Sequence, residues 1–366
     1  MSNKLPKSGK GPLFNNPLQH KKTFAQQLQT QSLGPPVTSL LDHMKDGREF
    51  ESLIKLNNLS IDLQSEMVKS FKEIEAIRGN PVIGYLANVV NSNIRANKSI
   101  DYSDDLPFSE LINTIPIEKR EIDIVLVTPG GTGNQVAKFV DKLRPRFDKV
   151  TFIIPNIAMS AGTIFAMSGD EIIMNNGSYI GPIDPQVPNK EGMFIPAQSI
   201  LTLVEDIKKR GEEAMSKGQR PAWTDLQILN QLDAKDIGNA INASNYSIEL
   251  VETYLSNYKF KSWTKHSSTG LDVTNEERKE RAKYTADLLC SHSVWKSHSR
   301  GITRESAWNV CKLQITHAET IGLDKAIRRL WALFYWVFEN TPAYKVFISE
   351  YYCLIRNDRT LINEPK

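Results

Sequence analysis

The sequence predicts an α/β protein whose core is built from parallel β-α-β units, and two observations support this fold class. First, four short runs rich in valine and isoleucine are bounded by Gly, Pro, Asn or Asp, as strands are. They are "PVIGYLANVV" at 81–90, "EIDIVLVT" at 121–128, "KVTFIIP" at 149–155 and "DEIIM" at 170–174. Second, the helix-like segments "GNQVAKFVDKLRPRF" and "SAGTIFAMSG" follow the second and third runs. Such alternation predicts a parallel sheet, with ligand sites at the carboxyl ends of its strands.

The segments on either side of this core predict helices. Residues 37–79 repeat apolar residues at three- and four-residue spacing and close on a glycine. Beyond the core, long amphipathic patterns dominate, and Thr274 with Glu277 predicts a capping box. We therefore divide the chain into a flexible basic arm (1–36), an N-terminal helical segment (37–79), an α/β core (80–215) and a C-terminal helical region (216–366).

Composition excludes several classes of protein. The net charge is +3, and the lysines of the arm, which contains no acidic residue, more than account for it, so we expect no nucleic-acid partner. No segment approaches the roughly 20 apolar residues that span a bilayer. The three cysteines, Cys290, Cys311 and Cys353, form no metal-ligand pair and suggest no disulfide framework. We expect a soluble, cytoplasmic protein with no metal and no cofactor.

Two strand-to-helix turns carry the candidate chemistry. After the second strand, Gly130 and Gly131 allow positive φ angles and expose amide N–H groups that can hold an anion or an oxyanion. A plain tight turn is the alternative, because neither G-x-G-x-x-G nor a P-loop pattern is present. Ser160 lies at the next turn, so the two turns open on the same edge of the sheet. A serine there can be an N-cap, but the small Ala161 and Gly162 leave the following N–H accessible, as an oxyanion donor requires.

These motifs together resemble a known family. "TPGG", "AMSAGT", "SGDEIIM" and "SYIGPIDPQ" look like the Clp-protease and crotonase superfamily, specifically the signal peptide peptidase A-like serine peptidases, and most closely the serine dehydrogenase proteinase family. The resemblance covers about residues 121–187, with a looser match beyond. It implies a core of stacked ββα units and a self-assembling homo-oligomer. It also implies that Ser160 is the nucleophile and that the amides of Gly131 and Ala161 form the oxyanion hole, with Gly130 shaping the turn.

A serine nucleophile needs a base within hydrogen-bond reach. No histidine lies between His43 and His266, so the local histidine of a Clp-type triad is missing. Signal peptide peptidase A-like enzymes use a lysine on a later helix, and "AQSILTLVEDIKKRGEE" at 197–213 offers Lys208 and Lys209. Lys208 lies nearer the apolar side of this helix, so we predict that it forms a Ser-Lys dyad with the nucleophile. A solvated charged face is the alternative for this segment, and Lys209 or a C-terminal histidine remains open as the base.

Residues beside the two turns are expected to line the substrate cleft: Thr132, Met159, Thr163, Pro182 and Asp184. In "GPIDPQV" at 181–187, the prolines fix a rigid extended loop. Asp184 either anchors that loop by bonding its own backbone or acts in catalysis. Thr163, at the helix start, is a candidate to assist the serine or the lysine.

The segment "CSHSVWKSHSRGITRESAW" at 290–308 gathers two histidines, basic residues and two tryptophans. His292 and His298 have no third ligand in the sequence, so the segment does not predict a metal site. Helix packing on the core explains the composition, and contact with a partner chain is the alternative. A similar Trp-Lys-x-His-x-Arg stretch belongs to serine dehydrogenase proteinase-like chains.

The sequence thus predicts a serine endopeptidase that cleaves peptides or unfolded proteins. One alternative is a crotonase-like acyl-CoA enzyme, which would place two amides on a thioester carbonyl and need no serine. Another is a peptide-binding scaffold of the same fold that has lost its base.

Overall fold

A computed structural model describes residues 39–56, 62–188, 194–266 and 268–360. The basic arm predicted at 1–36 lies outside the described residues. The N-terminal segment contains helices α1 (Leu40–His43), α2 (Glu49–Ile54) and α3 (Leu63–Arg78). Helix α3 ends where the sequence predicts, at Gly79, which takes a left-handed conformation and donates its N–H to the Glu75 carbonyl.

Strands and helices alternate through the core in the predicted order. The core elements are β1 (Val82–Ala87), α4 (Asp105–Asn113), β2 (Glu121–Val127), α5 (Gly133–Leu143), β3 (Lys149–Ile154), β4 (Ile157–Ala158), α6 (Ala161–Met167), β5 (Glu171–Met174) and β6 (Tyr179–Ile180). The observed strands β1, β2, β3 and β5 each lie within one of the four segments predicted as strands. The antiparallel pair β7 (Gln186–Pro188) and β8 (Phe194–Pro196) then leads into α7 (Ala197–Ser216).

The C-terminal region contains both helices and strands. Its elements are α8 (Trp223–Gln231), α9 (Ala234–Tyr254), α10 (Asn275–Leu289), α11 (His292–Trp295), α12 (Arg304–Cys311), β9 (Thr316–His317), α13 (Asp324–Asn340), β10 (Ala343–Ile348) and β11 (Cys353–Asn357). Helix α10 begins with the predicted capping box, in which Thr274 and Glu277 each bond the other's backbone N–H. The description of this region as helical is incomplete, because three strands within it join the core sheet.

Within the described residues, the central sheet has seven strands in the order β11-β10-β1-β2-β3-β5-β9. Neighbouring strands among β1, β2, β3, β5 and β9 pair in parallel. Strands β10 and β11 add an antiparallel edge beside β1. A second, two-stranded sheet forms from β4 and β6, which run in parallel. Strand β4 lies between β3 and α6, so this part of the chain is a ββα unit. The protein is therefore a mixed α/β structure with a mostly parallel central sheet, as the sequence predicts.

Helices cover both faces of the sheet. On one face, sheet residues such as Ile124 and Phe152 pack with α4, α5, α6, α9 and α10. On the other face, Val125 and Ile153 pack with α3 and α13. Adjacent residues of one strand thus enter opposite cores, as the two-residue repeat of a strand requires. Because both faces are covered, the second halves of β2 (124–127) and β3 (152–154) read as continuous apolar runs in the sequence.

Candidate active site

The two strand-to-helix turns predicted from the sequence lie against each other at the carboxyl edge of the sheet. A Cβ atom added to Gly130 would lie 3.0 Å from the Ser160 Cβ and 3.6 Å from the Ala161 nitrogen. The backbones of the two turns are in contact. Next to this contact, Thr128 and Ala158 form a parallel backbone bridge. Strands β2 and β3 are neighbours in the sheet, so the turns that follow them meet at one edge.

Gly131 lies where only glycine fits. Its φ is 146°, a value that residues with a side chain rarely adopt. An added Cβ would lie 2.2 Å from the Ile100 carbonyl oxygen and 2.5 Å from the Ile100 nitrogen. Ile100 holds the turn in place, because its N–H donates to the Gly130 carbonyl (2.7 Å) and its carbonyl accepts from the Thr132 N–H (3.0 Å). The glycine pair therefore shapes the turn through its backbone.

Ser160 has a strained backbone. Its φ of 49° and ψ of −115° lie in a region that residues other than glycine rarely occupy. The residue is partly exposed, and its hydroxyl makes no hydrogen bond to any part of the chain that the structure describes. A helix cap does not account for it either, because Ser160 makes no side-chain cap to α6. Ser160 thus combines a strained backbone with a side-chain hydroxyl that is unpaired within the described chain.

Two amide N–H groups beside this serine have no acceptor among the described residues: those of Gly131 and Ala161. The first is unpaired because the bridge to Ile100 uses the flanking groups, the Gly130 carbonyl and the Thr132 N–H. The second is unpaired because Ala161 is the first residue of α6. Gly162 lets the helix approach β2, since a Cβ there would lie 2.3 Å from the Thr128 methyl. Two unpaired N–H groups thus lie beside the unpaired hydroxyl of Ser160.

A cavity of about 450 Å³ opens onto these groups. The two turns form its floor through Gly131, Thr132, Ser160 and Ala161. Its walls come from four other places in the chain: Ser99 between β1 and α4, the segment after β6, helix α9 and the segment after α11. The wall residues include Ile183, Pro185, Gln186, Ala243, Tyr246, Ser247 and His298.

Of the five residues predicted to line the substrate cleft, only Thr132 borders the cavity. Met159 and Pro182 do not border it, and an added Cβ on Gly181 would touch the Met159 side chain. Thr163 is fully buried, and its hydroxyl bonds the Ala158 carbonyl (2.8 Å) and the backbone of Gly181 (2.9 Å). Thr163 thus fastens α6 to the loop after β6, and its hydroxyl makes no bond to Ser160.

Asp184 is also buried, and it binds two histidines from the C-terminal region. The Nδ1 atom of His292 lies 2.9 Å from one carboxylate oxygen, and the Nδ1 atom of His298 bonds the other. Burial raises the pKa of the Asp184 carboxyl, but the hydrogen bonds from His298 and His292 outweigh it, so the pKa lies below its usual value. The carboxyl is therefore ionised at neutral pH and only accepts, so both histidines donate from Nδ1.

The predicted base, Lys208, lies elsewhere on the surface. Lys208 and Lys209 are both exposed, and neither borders the cavity at Ser160. The apolar side of α7 packs through Ala197 and Ile200 on Ala240 of α9. The structure thus brings the predicted nucleophile and both predicted oxyanion donors together, and it does not bring either lysine to them.

Sequence reasoning missed the partnership of Asp184 with the two histidines. The signal was present as two unexplained observations: an aspartate inside a rigid proline-framed loop, and two histidines in "SHSVWKSH". What the sequence did not show is that α10 returns the chain to this loop.

Among the described residues, no cluster of His, Cys, Asp and Glu could hold a metal ion, and no helix there combines the length and apolar character of a membrane span.

Comparisons with known proteins relate the chain to a peptidase family. The family described as "ClpP-like SDH-type serine proteinase" matches residues 58–239. Two curated relatives from Methanocaldococcus jannaschii are both uncharacterized proteins. One is 34% identical over 149 residues, which are 40% of this chain and 48% of the relative. The other is 30% identical over 229 residues, which are 60% of this chain and 72% of the relative. The match thus spans about half of the first relative.

Two solved structures also align with the chain. Both are mutants of a protein titled "1510-N membrane-bound stomatin-specific protease", and one of them is in complex with a substrate peptide. They are 15% and 16% identical to this chain, with TM-scores of 0.34 and 0.35. Each alignment covers 60% of this chain, together with 74% and 70% of the respective structures.

Proposed function

Because the chain belongs to the ClpP-like SDH-type serine proteinase family, we propose that it is a serine peptidase in which Ser160 attacks the peptide carbonyl. One observation carries this proposal. Ser160, whose hydroxyl is unbonded, lines the same cavity as Gly131 and Ala161, whose amides are unbonded. An acyl-transfer site needs this combination of one nucleophile and two donors.

The proposed reaction follows from this placement. A peptide carbonyl enters the cavity with its oxygen toward the two amides. Ser160 Oγ gives its proton to a base and forms a bond to the carbonyl carbon, and the negative charge that develops on the oxygen is held by the N–H groups of Gly131 and Ala161. The amine then leaves, and water releases the acyl group from the serine. Removing one such donor typically lowers kcat about 10²- to 10³-fold.

The proposed substrate is an unfolded or extended peptide. The cavity walls come from separate parts of the chain and mix apolar with polar side chains, among them Ile183, Gln186 and Tyr246. Such a lining favours main-chain recognition over a demand for one charged side chain. Assembly into a homo-oligomer, which the family resemblance implies, is part of this proposal, and light scattering of the purified chain tests it.

The direct test compares the wild type with Ser160→Ala on a fluorescently labelled unfolded casein. We expect cleavage by the wild type and loss of cleavage in the variant, with an unchanged circular dichroism spectrum because the hydroxyl holds no structural bond. A wild type that binds casein without cleaving it would indicate the peptide-binding scaffold. Hydrolysis of an acyl-CoA thioester that persists in Ser160→Ala would indicate the crotonase-like alternative.

A further inference from the structure

We propose that a second cavity, at the amino edge of the sheet, binds a small ligand with two or more negative charges, such as a phosphate ester or a polycarboxylate. This cavity has a volume of about 470 Å³ and lies between the start of β5, the loop after α9, helix α10 and the end of α12. It shares none of its described lining residues with the Ser160 cavity. The inference therefore goes beyond the proposed peptidase function and does not depend on it.

The lining of this cavity has an excess of positive charge. Four residues with cationic side chains line it: Lys259, Lys265, Arg281 and Lys312. Asp170 is the one acidic residue among the described lining residues, and its carboxylate already accepts from Arg144 (2.8 Å) and from the Val150 N–H (2.8 Å). Glu277 and Glu280 of α10 line a neighbouring cavity and do not border this one. The described residues of the cavity therefore leave much of its positive charge uncompensated.

Lys259 has no partner for its charge. It ends a π-helical turn, Leu255–Lys259, that continues α9, and such turns are rare and often occur at functional sites. The side chain is partly buried, and its amine makes no hydrogen bond or ion pair within the described chain. Burial lowers the pKa of this amine to about 8, although Glu171 and Asp170 oppose the change. An anion bound beside the amine would stabilise its charged form.

Two further cations lie against aromatic rings of the cavity wall. The Arg281 guanidinium lies 5.3 Å from the centroid of the Trp263 ring, and the Lys312 amine lies 5.9 Å from the centroid of the Trp308 ring. Both tryptophans also line the cavity. Neither cation forms an ion pair with a carboxylate of the described chain. Because a cation–π contact uses the charge and not the N–H groups, both side chains keep donors for an anion.

The other two basic residues of the lining have carboxylate partners. Lys265 lies 3.6 Å from Asp272, and both side chains are exposed. His266 Nε2 lies 3.1 Å from the Glu277 carboxylate. We therefore assign the binding contacts to the three cations without a carboxylate partner, those of Lys259, Arg281 and Lys312. Three such cations match a ligand with at least two negative charges.

The size of the cavity favours a small molecule over a nucleic acid or a protein. Small-molecule sites usually measure about 300–1,000 Å³, and this cavity falls within that range. Ser262 and Gln314 add uncharged polar side chains to its lining. Guanidinium and ammonium groups donate charge-assisted hydrogen bonds to phosphate and to carboxylate oxygens alike. The lining therefore selects for negative charge, and the experiment has to distinguish the two kinds of anion.

The test titrates the purified chain with inorganic pyrophosphate and, separately, with citrate by isothermal titration calorimetry, at constant ionic strength and without divalent cations. We expect the wild type to bind at least one of these probes at a single site. Lys259→Met and Arg281→Gln each remove charge-assisted hydrogen bonds, so each should weaken binding about 10- to 100-fold. Lys279→Met is the matched control, because Lys279 is exposed on α10 and borders a different cavity. Its Kd should equal that of the wild type.

Thermal unfolding shows whether the variants are folded and gives a second readout. The probe that binds should raise the Tm of the wild type and leave that of Lys259→Met unchanged. Tighter binding of pyrophosphate supports the proposal with a phosphate ligand, and tighter binding of citrate supports it with a polycarboxylate.

Three outcomes would overturn the proposal. The first is a wild type that binds neither probe. The second is an equal loss of binding in Lys279→Met and Lys259→Met, which would indicate nonspecific attraction to surface charge. The third is loss of binding in Ser160→Ala, which would place the anion in the Ser160 cavity. Casein cleavage by the wild type tests the peptidase function separately, so the two proposals stand or fall independently.

Discussion

Replacing Gly131 with alanine tests how the first turn is built. A residue with a side chain at φ 146° carries backbone strain of roughly 1–3 kcal/mol. The added Cβ would also lie 2.2 Å from the Ile100 carbonyl oxygen, which forces Ile100 away from the turn. That movement breaks two backbone hydrogen bonds of 2.7 and 3.0 Å, each contributing about 1 kcal/mol. We therefore expect Gly131→Ala to lower the free energy of unfolding by about 3–5 kcal/mol.

Chemical denaturation followed by circular dichroism measures this change, with Gly211→Ala as the matched control. Gly211 lies inside α7, where an added Cβ meets no atom within 4 Å. Alanine there should stabilise the helix by up to about 1 kcal/mol. Equal stability of Gly131→Ala and the wild type would refute the argument that the turn requires glycine at this position.

Three further predictions concern strain and buried charge. Ser160→Gly should be more stable than Ser160→Ala, since glycine adopts φ 49° and ψ −115° without strain; the two denaturation midpoints decide this. Lys345 is almost fully buried and donates to both carboxylate oxygens of Asp104 at 2.7 and 2.9 Å. Lys345→Met should lower the free energy of unfolding by roughly 3–5 kcal/mol, because it removes one partner of a buried pair. Lys259→Met should be more stable than the wild type at pH 7, because the folded state lowers the pKa of this amine from 10.5 to about 8. The folded chain binds fewer protons than the unfolded chain between pH 8 and 10.5, so this advantage should shrink as the pH rises through that window; an advantage that does not depend on pH would contradict it.

Local sequence patterns were sufficient to predict the sheet interior and the two turns. Strands β2 and β3 end in residues that are apolar on both faces, and the turns after them carry the glycine and serine motifs within a few residues. These features depend on the backbone and on neighbours along the chain. The predicted nucleophile and the two predicted amides therefore lie together, as neighbouring parallel strands require.

The edge of the sheet was not predictable in the same way. Strand β10 contains Lys345, a charged residue that interrupts an apolar run, and its partner Asp104 lies 241 residues earlier in the chain. Without that pairing, "AYKVFI" does not read as a buried strand. The carboxylate of Asp104 also bonds Arg356 and the Tyr85 hydroxyl, so the strand is stabilised by a polar cluster that only the fold assembles.

The contact between Asp184 and the histidines of the C-terminal region was the least predictable part of the site. Helical periodicity identified the apolar side of α7, but it did not show that α9 covers that side. Asp184 and His298 are 114 residues apart, and no local pattern joins them. The histidines of "SHSVWKSH" were visible in the sequence, yet their meaning depends on the path of α10 back to the loop after β6.

The most direct test of the central claim is the site at which a fluorophosphonate probe labels the protein. The probe reacts covalently with an activated serine, and mass spectrometry of the digested protein identifies the modified residue. We predict one adduct, on Ser160, which disappears in Ser160→Ala. An adduct on a different residue, or none on the folded wild-type protein, would contradict the claim that this turn carries an activated nucleophile.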